Sequence, residues 1–314
     1  MYTRFVVTGC AGFIGAALTR RLLADGHSVT GIDCFIDSYP RKWKEERLVR
    51  LVGRAGFNFT ETDIASAELT ELTAGADYVF HPAAQPGVRT SWGANFSEYT
   101  RNNVLATQRI LEATKDGGVP RFVYSSSSSV YGDARVRPTA ESEPPAPVSP
   151  YGVTKLAGEY LCHLYSSSYG VECFCLRYFT AYGPQPRPDQ AVDVFVRAIR
   201  DGRQITVFGD GEQQRDMTYV DDVVEANLLA SRTSTAHRIF NVGGGTCVTV
   251  NELIARLEKI VGERTSLTDA KPIAGDALHT EADSRLAAEE LGWRPQIDIE
   301  EGLCRTVGSI LSSR

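Results

Sequence analysis

The stretch Thr8-Gly9-Cys10-Ala11-Gly12-Phe13-Ile14-Gly15 limits what this chain can fold into more than any other. It follows an apolar run at 5–8 and opens a helical period at 14–25, with glycines spaced Gly-x-x-Gly-x-x-Gly. Between a strand and a helix, the first glycine permits a tight turn and the second lets backbone approach a pyrophosphate. The third lets helix and strand pack closely. The helix then presents N–H groups and the positive end of its dipole to the phosphates. Gly9, Gly12, Phe13, Ile14 and Gly15 are therefore expected to cradle a dinucleotide. Asp33 closes the second apolar run. A carboxylate there accepts both hydroxyls of a ribose and repels an added 2′-phosphate, which selects NAD over NADP. Asp63 and Ile64, after a third run, are expected at the adenine edge.

Runs at 5–8, 28–32, 57–61, 78–81, 121–125 and 171–177 read as strands, and the periods at 14–25, 99–114 and 151–169 read as helices. Strands alternating with helices imply right-handed crossovers and a sheet covered on both faces. The expected class is α/β, a Rossmann-type doubly wound parallel sheet with a smaller C-terminal α/β substrate-binding region. Residues 1–180 form the NAD-binding part in this reading, with returning segments from 215–245, and 181–314 mainly cover substrate. Pro184, Pro186 and Pro188 mark the change. In the second part, helices at 192–200 and 250–261 and strands at 205–208 and 239–242 are expected.

A net charge of −6 argues against nucleic acid or an anionic membrane surface as a partner. No signal peptide or membrane-spanning run is evident, and the seven scattered cysteines lack zinc or redox spacing. These features fit a cytoplasmic enzyme. The five histidines show no ligand spacing, so no metal is expected; His81 reads as a structural or cofactor-shell residue.

Tyr151-Gly-Val-Thr-Lys155 begins a helical period just after Pro150. Residues i and i+4 share a helical face, which brings an ammonium near a phenol. A free phenol, with a pKa of about 10, is a poor base at neutral pH; a neighbouring cation favours the phenolate. Tyr151 then takes a proton from a sugar hydroxyl while the carbinol hydride leaves for NAD. Ser125 to Ser129 close a strand, where doubly wound sheets place their ligands, so a serine hydroxyl is available to share that proton.

In order along nearly the whole chain stand TGCAGFIG, Asp33, FHPAAQPGVRTSW, FVYSSSSSVYG, SPYGVTKLAGE, LRYFTAYGP, FGDGEQQRDMTYVDDV and FNVGGG. In these blocks the sequence resembles the extended short-chain dehydrogenase/reductase family and its nucleotide-sugar 4-epimerase branch. The resemblance implies that Tyr151 is the catalytic acid/base, that Lys155 anchors the ribose and tunes Tyr151, and that Ser127 is the hydroxyl partner. It sets Arg215 near the nucleotide diphosphate and Asp276 near the ribose or diphosphate. Tyr178 reads either as a ring packed near the nicotinamide or as a core aromatic. The resemblance also implies a homodimer formed through the 99–114 and 151–169 helices.

Sugar 4,6-dehydratases of the family carry an Asp-Glu pair where this chain has Ser128 and Ser129. Without those carboxyls, water elimination lacks its acid and base, and many decarboxylases likewise have Glu in place of Ser129. An epimerase needs neither. CFIDSYP after Asp33, the PGVRTSW loop with Arg89, Thr90 and Ser91, Thr180 where UDP-glucose epimerases have Asn, and Arg187 in GPQPRPDQA resemble the UDP-glucuronate 4-epimerases. The expected reaction is UDP-glucuronate to UDP-galacturonate through a transient 4-keto sugar. Thr180 and the Thr90/Ser91 loop hold the carboxylate in this reading. UDP-glucose 4-epimerisation is the alternative. A non-catalytic NAD-binding regulator on the same fold is the reading from a different class.

Overall fold

Within the first strand, Phe5 and Val7 join one apolar cluster and Val6 another, as the two-residue period of a strand requires. Both faces are apolar because helices cover both. The computed structural model describes residues 3–272 and 274–312. Seven strands build one parallel sheet: β1 (Arg4–Thr8), β2 (Ser28–Asp33), β3 (Phe57–Glu61), β4 (Tyr78–His81), β5 (Arg121–Ser127), β6 (Glu172–Tyr178) and β7 (Ile239–Val242). Their order is β3-β2-β1-β4-β5-β6-β7. This is the Rossmann-type doubly wound arrangement that the alternation predicts, and the order reverses between β1 and β4, where such sheets bind ligands. The helices Phe13–Ala24 and Val220–Arg232 lie on one face, and Ala106–Asp116 and Pro150–Tyr169 on the other.

The period at 99–114 does not form one α-helix. Phe96–Tyr99 is α-helical, Thr100–Leu105 is a π-helical turn and Ala106–Asp116 continues as α-helix. The wider turn lets two successive polar residues, Asn102 and Asn103, both be buried. Asn103 uses its side chain fully, accepting from the Gln85 amide at 2.7 Å and donating to the Gln85 carbonyl and Thr154 Oγ1. A pattern reading of apolar positions does not anticipate this.

The second half forms a smaller layer. Thr180–Tyr182 pairs in parallel with Gln214–Tyr219, which also pairs with Cys247–Thr249 and His279–Thr280. Ile205–Phe208 pairs with Leu267–Ala270. The helices Ala191–Arg200, Val250–Val261 and Ile299–Ser312 close a third core around Val196, Leu257, Leu303 and Val307. β7 returns from this half to the large sheet beside β6. Cys10, Cys162, Cys173 and Cys175 are buried, and among the described residues no helix is long and apolar enough to cross a membrane.

Candidate active site

The carboxyl ends of β1, β2, β5 and β6 open on one cleft of about 410 Å³. Gly9, Gly12, Phe13, Ile14 and Gly15 line it, together with Asp33, Asp63, Ile64, Ser127, Tyr151, Lys155, Tyr178, Thr180 and Arg187. The glycine turn is tight: Gly9 has φ +61, and a Cβ on it would stand 2.8 Å from the Ala83 backbone. Asp33 spans the turn, accepting from the Ala11 amide at 3.1 Å and the Phe35 amide at 2.8 Å. Asp63 is ion-paired with Arg101 and accepts from the Ala65 amide. This set fits a dinucleotide: the glycines let the turn close where a Cβ would strike its own backbone, and a carboxylate closes the adjacent strand.

The helix carrying Tyr151 starts where its sequence says it should. Pro150 occupies its first turn, Ser149 accepts from the Gly152 amide at 3.1 Å, and Gly170 ends it at φ +75. Tyr151 is thus fixed at the mouth of the cleft, edge-on to the Tyr99 ring at 6.3 Å. Burial pushes its phenol pKa up, while a hydrogen bond with Ser127 and the charge of Arg187 pull it down. One helical turn on, Lys155 places its ammonium 4.6 Å over the Tyr124 ring. Burial lowers the Lys155 pKa to about 8, partly offset by Glu159 one helical turn on.

That lowered value makes a stability prediction. Below pH 8 the folded protein carries a buried charge that the unfolded chain holds in water, and above pH 10.5 neither state is charged. Stability therefore rises with pH between 8 and 10.5, because there the unfolded state binds more protons. At pH 7 the penalty is on the order of 3 kcal/mol. Lys155→Met in nucleotide-free protein should accordingly raise Tm by several degrees at pH 7 while abolishing turnover, and the gain should fade near pH 10.5. Calorimetry across that range checks it; an equal or lower Tm at pH 7 contradicts it.

Beneath the serines lies a buried network. Ser126 donates to Glu159 at 2.5 Å, Arg177 grips Glu159 at 2.8 and 2.7 Å, and Tyr131 links Arg177 to Asn241. Ser125 bonds to the Tyr178 hydroxyl, which donates to Asn227, so Tyr178 offers the cleft its ring while its hydroxyl is engaged in the core. His81 is fully buried, bonded at one nitrogen to Thr8 and at the other to Thr107, and its pKa falls to about 3. It is a neutral structural imidazole.

A second hollow of about 180 Å³ shares Val88, Ser127 and residues 178–180 with the first. Ser128, Ser129, Arg215 and Asp276 line it. Asp276 bridges Arg215 at 2.6 Å and Arg89 at 3.0 Å. Arg89 and Thr90 line neither hollow, while Val88 of the same PGVRTSW loop lines both. Arg89 is half exposed over the Phe208 ring, Thr90 bonds to the Tyr99 hydroxyl at 2.6 Å, and Ser91 turns inward to the Val88 carbonyl. The short turn Arg89–Ser91 directs these hydroxyls at their own loop. Ser127, Ser128 and Ser129 line the second hollow with Thr180, as do Ser149 and Thr280.

Tyr39 and Gln190 line the cleft from within CFIDSYP and GPQPRPDQA without having been given a role, and Lys44 lies outside every motif. Lys44 carried a readable signal, because residues 44, 47, 48 and 51 fall on one helical stripe, and charges on an apolar stripe are buried for a purpose.

Residues 5–243 match the model of the NAD dependent epimerase/dehydratase family. The chain is 38% identical to the UDP-glucuronic acid 4-epimerase of Bacillus cereus, whose crystal structure is in complex with UDP-glucuronic acid and NAD. The match covers 99% of this chain and 100% of that one, with a TM-score of 0.95. It is 36% identical over 307 residues to the UDP-glucuronate 4-epimerase of Thermodesulfobacterium geofontis, covering 96% and 94% of the two chains. It is 37% identical over 310 residues to the UDP-glucose 4-epimerase of Mycolicibacterium smegmatis, covering 97% of each. Identity of 36% against 37% does not separate the two sugars, so the choice falls to residues in the cleft.

Proposed function

We propose, for a chain that belongs to the NAD dependent epimerase/dehydratase family, that it is an NAD-dependent nucleotide-sugar 4-epimerase acting on UDP-glucuronate to give UDP-galacturonate. One observation carries this reading: the glycine turn with Asp33 shares its cleft with Tyr151, Ser127 and Thr180, and the hollow that continues it is lined by serines at 128 and 129, where elimination would need carboxyls. NAD supplies a reversible acceptor for the hydrogen at C4. Tyr151, sharing a hydrogen bond with Ser127, takes the O4 proton and later returns it from the same position. Lys155 lends positive charge beside the cofactor ribose. Arg215 and Asp276 hold the nucleotide end, and Arg187 adds positive charge at the reacting end. Residues 1–180, with the returning segment near 215–245, serve the cofactor and 181–314 mainly the sugar nucleotide. Val153, Tyr160 and Leu164, spaced along the exposed side of the Tyr151 helix, are large apolar residues, and a second copy of the chain covers them in this reading.

Oxidation at C4 of a uronate makes a β-keto acid, which loses carbon dioxide when its carboxylate stands perpendicular to the carbonyl. Thr180 with Ser128 and Ser129 holds the carboxylate out of that alignment. Thr180→Ala should raise the fraction of decarboxylated pentose product about tenfold, the loss of one charge-assisted hydrogen bond. An unchanged fraction, read by NMR, removes Thr180 from this role. The reaction course is tested with UDP-glucuronate deuterated at C4. Product formed in ordinary water should keep its deuterium at C4, and loss of the label to solvent contradicts a hydride that leaves and returns.

A further inference from the structure

Lys44 and Arg47 share a stripe with Leu48 and Leu51 and are as buried as the leucines, at 4% and 3% exposed. Lys44 donates to the Ile36 carbonyl at 2.6 Å and lines the cleft near Asp33. Arg47 does something different. Its five hydrogen bonds all end on neutral oxygens. Nε and Nη2 reach the Gln185 carbonyl at 3.0 and 2.9 Å, and Nη2 also reaches the Pro186 carbonyl at 2.8 Å. Nη1 reaches the Tyr39 hydroxyl at 3.1 Å and the Ala11 carbonyl at 3.4 Å. A buried guanidinium is costly unless it is hydrogen-bonded and paired, and here the charge of Asp193 acts on it as well. The carbonyls it grips belong to a strained turn, because Gln185 stands at φ +57, a left-handed conformation that a glutamine rarely adopts. Its amide is tied to Ser309 Oγ at 3.1 Å, and the turn directs two successive carbonyls at Arg47.

The next residue is Arg187, which lines the cleft with Tyr151. Asp189 grips its guanidinium at 3.0 and 3.2 Å, and Gln190 accepts from its amide at 3.0 Å. Arg47 thus joins the dinucleotide turn, through Ala11, to the loop that presents Arg187, a link spanning 138 positions of sequence.

We propose that Arg47 is a positioning residue for the sugar end of the cleft: by gripping the Gln185 and Pro186 carbonyls from the cofactor side, it fixes Arg187 where the nucleotide sugar's anionic groups lie. The proposal rests on the reading of the cleft given above. Arg47 acts through Arg187, so removing it matters only while Arg187 is present. The planar fork serves two carbonyls at once, which a lysine ammonium in the same place does less well.

The test is a double-mutant cycle read by calorimetry on NAD-loaded protein in a Tyr151→Phe background, which binds without turnover. UDP-glucuronate and, in parallel, UDP-glucose are the titrants. Arg47→Met should weaken binding about tenfold when Arg187 is present and less than about twofold in the Arg187→Met background. Arg47→Lys should weaken it in the same pattern by a smaller factor, and it carries the cycle if circular dichroism shows the Met variant unfolded. Equal weakening in both backgrounds, or none in either, overturns the proposal. Binding of UDP-glucose without UDP-glucuronate overturns the uronate reading alone, since the cycle still reads Arg47 with the neutral sugar. Binding of neither overturns both.

Discussion

Replacing Tyr151 by Phe should lower kcat for the nucleotide sugar by about 10³-fold, while NAD retention and nucleotide-sugar affinity stay within roughly threefold. The phenylalanine keeps the edge contact with Tyr99 and the fit at the start of the helix; only the hydroxyl is lost. That hydroxyl faces Ser127 and Arg187, both of which favour its ionised form against the cost of burial. His81, the histidine that closes a strand beside the cofactor crevice, is closed off from solvent, bonded at both nitrogens and held far below the neutral range. Single-turnover rates, with bound NAD measured after denaturation, check the prediction. A loss smaller than about tenfold would assign the proton transfer to another group.

Gly15→Ala should remove NAD binding almost entirely, by about a hundredfold or more, and destabilise the fold by about 2–4 kcal/mol. A Cβ there would lie 2.1 Å from the Gly9 carbonyl oxygen and 2.8 Å from its carbon. The turn has nowhere to go, since a Cβ on Gly9 itself would meet the Ala83 backbone at 2.8 Å. The control is the same substitution at Gly308, in the last helix, where an added Cβ meets nothing within 4 Å. Gly308→Ala should stabilise by about 0.5–1 kcal/mol through helix propensity. Thermal melts and copurified NAD distinguish the two; normal NAD content in Gly15→Ala would mean that the turn does not hold the pyrophosphate.

What the sequence made legible was local. The strands at 5–8, 57–61 and 78–81 and the helices at 151–169 and 250–261 fall within a residue of their observed bounds, because burial on one or both sides writes its period directly into the chain. Gly9, Gly12, Gly15 and Asp33, read from strand ends, Tyr151 and Lys155, read from helical spacing, and Ser127 and Thr180, read from family resemblance, all line one cleft. What the sequence did not show is of another kind. The hydroxyls of Thr90 and Ser91 bond to the Tyr99 hydroxyl and the Val88 carbonyl, contacts set by a short turn. The π-helical turn at Thr100–Leu105 follows from what Asn103 must bond across the cleft wall, at Gln85 and Thr154. The Gln185 and Pro186 carbonyls that Arg47 grips lie far along the chain, and its burial shows in the stripe it shares with Leu48, but its purpose does not.

The most direct measurement of the central claim is to incubate the purified protein, without added NAD, with UDP-glucuronate and separately with UDP-glucose, and to identify the products by NMR. UDP-galacturonate from the first, with little pentose, and little UDP-galactose from the second are the results expected of a uronate 4-epimerase that retains its cofactor. UDP-galactose as the main product, a pentose as the main product, or no product from either sugar even after NAD is added would contradict it.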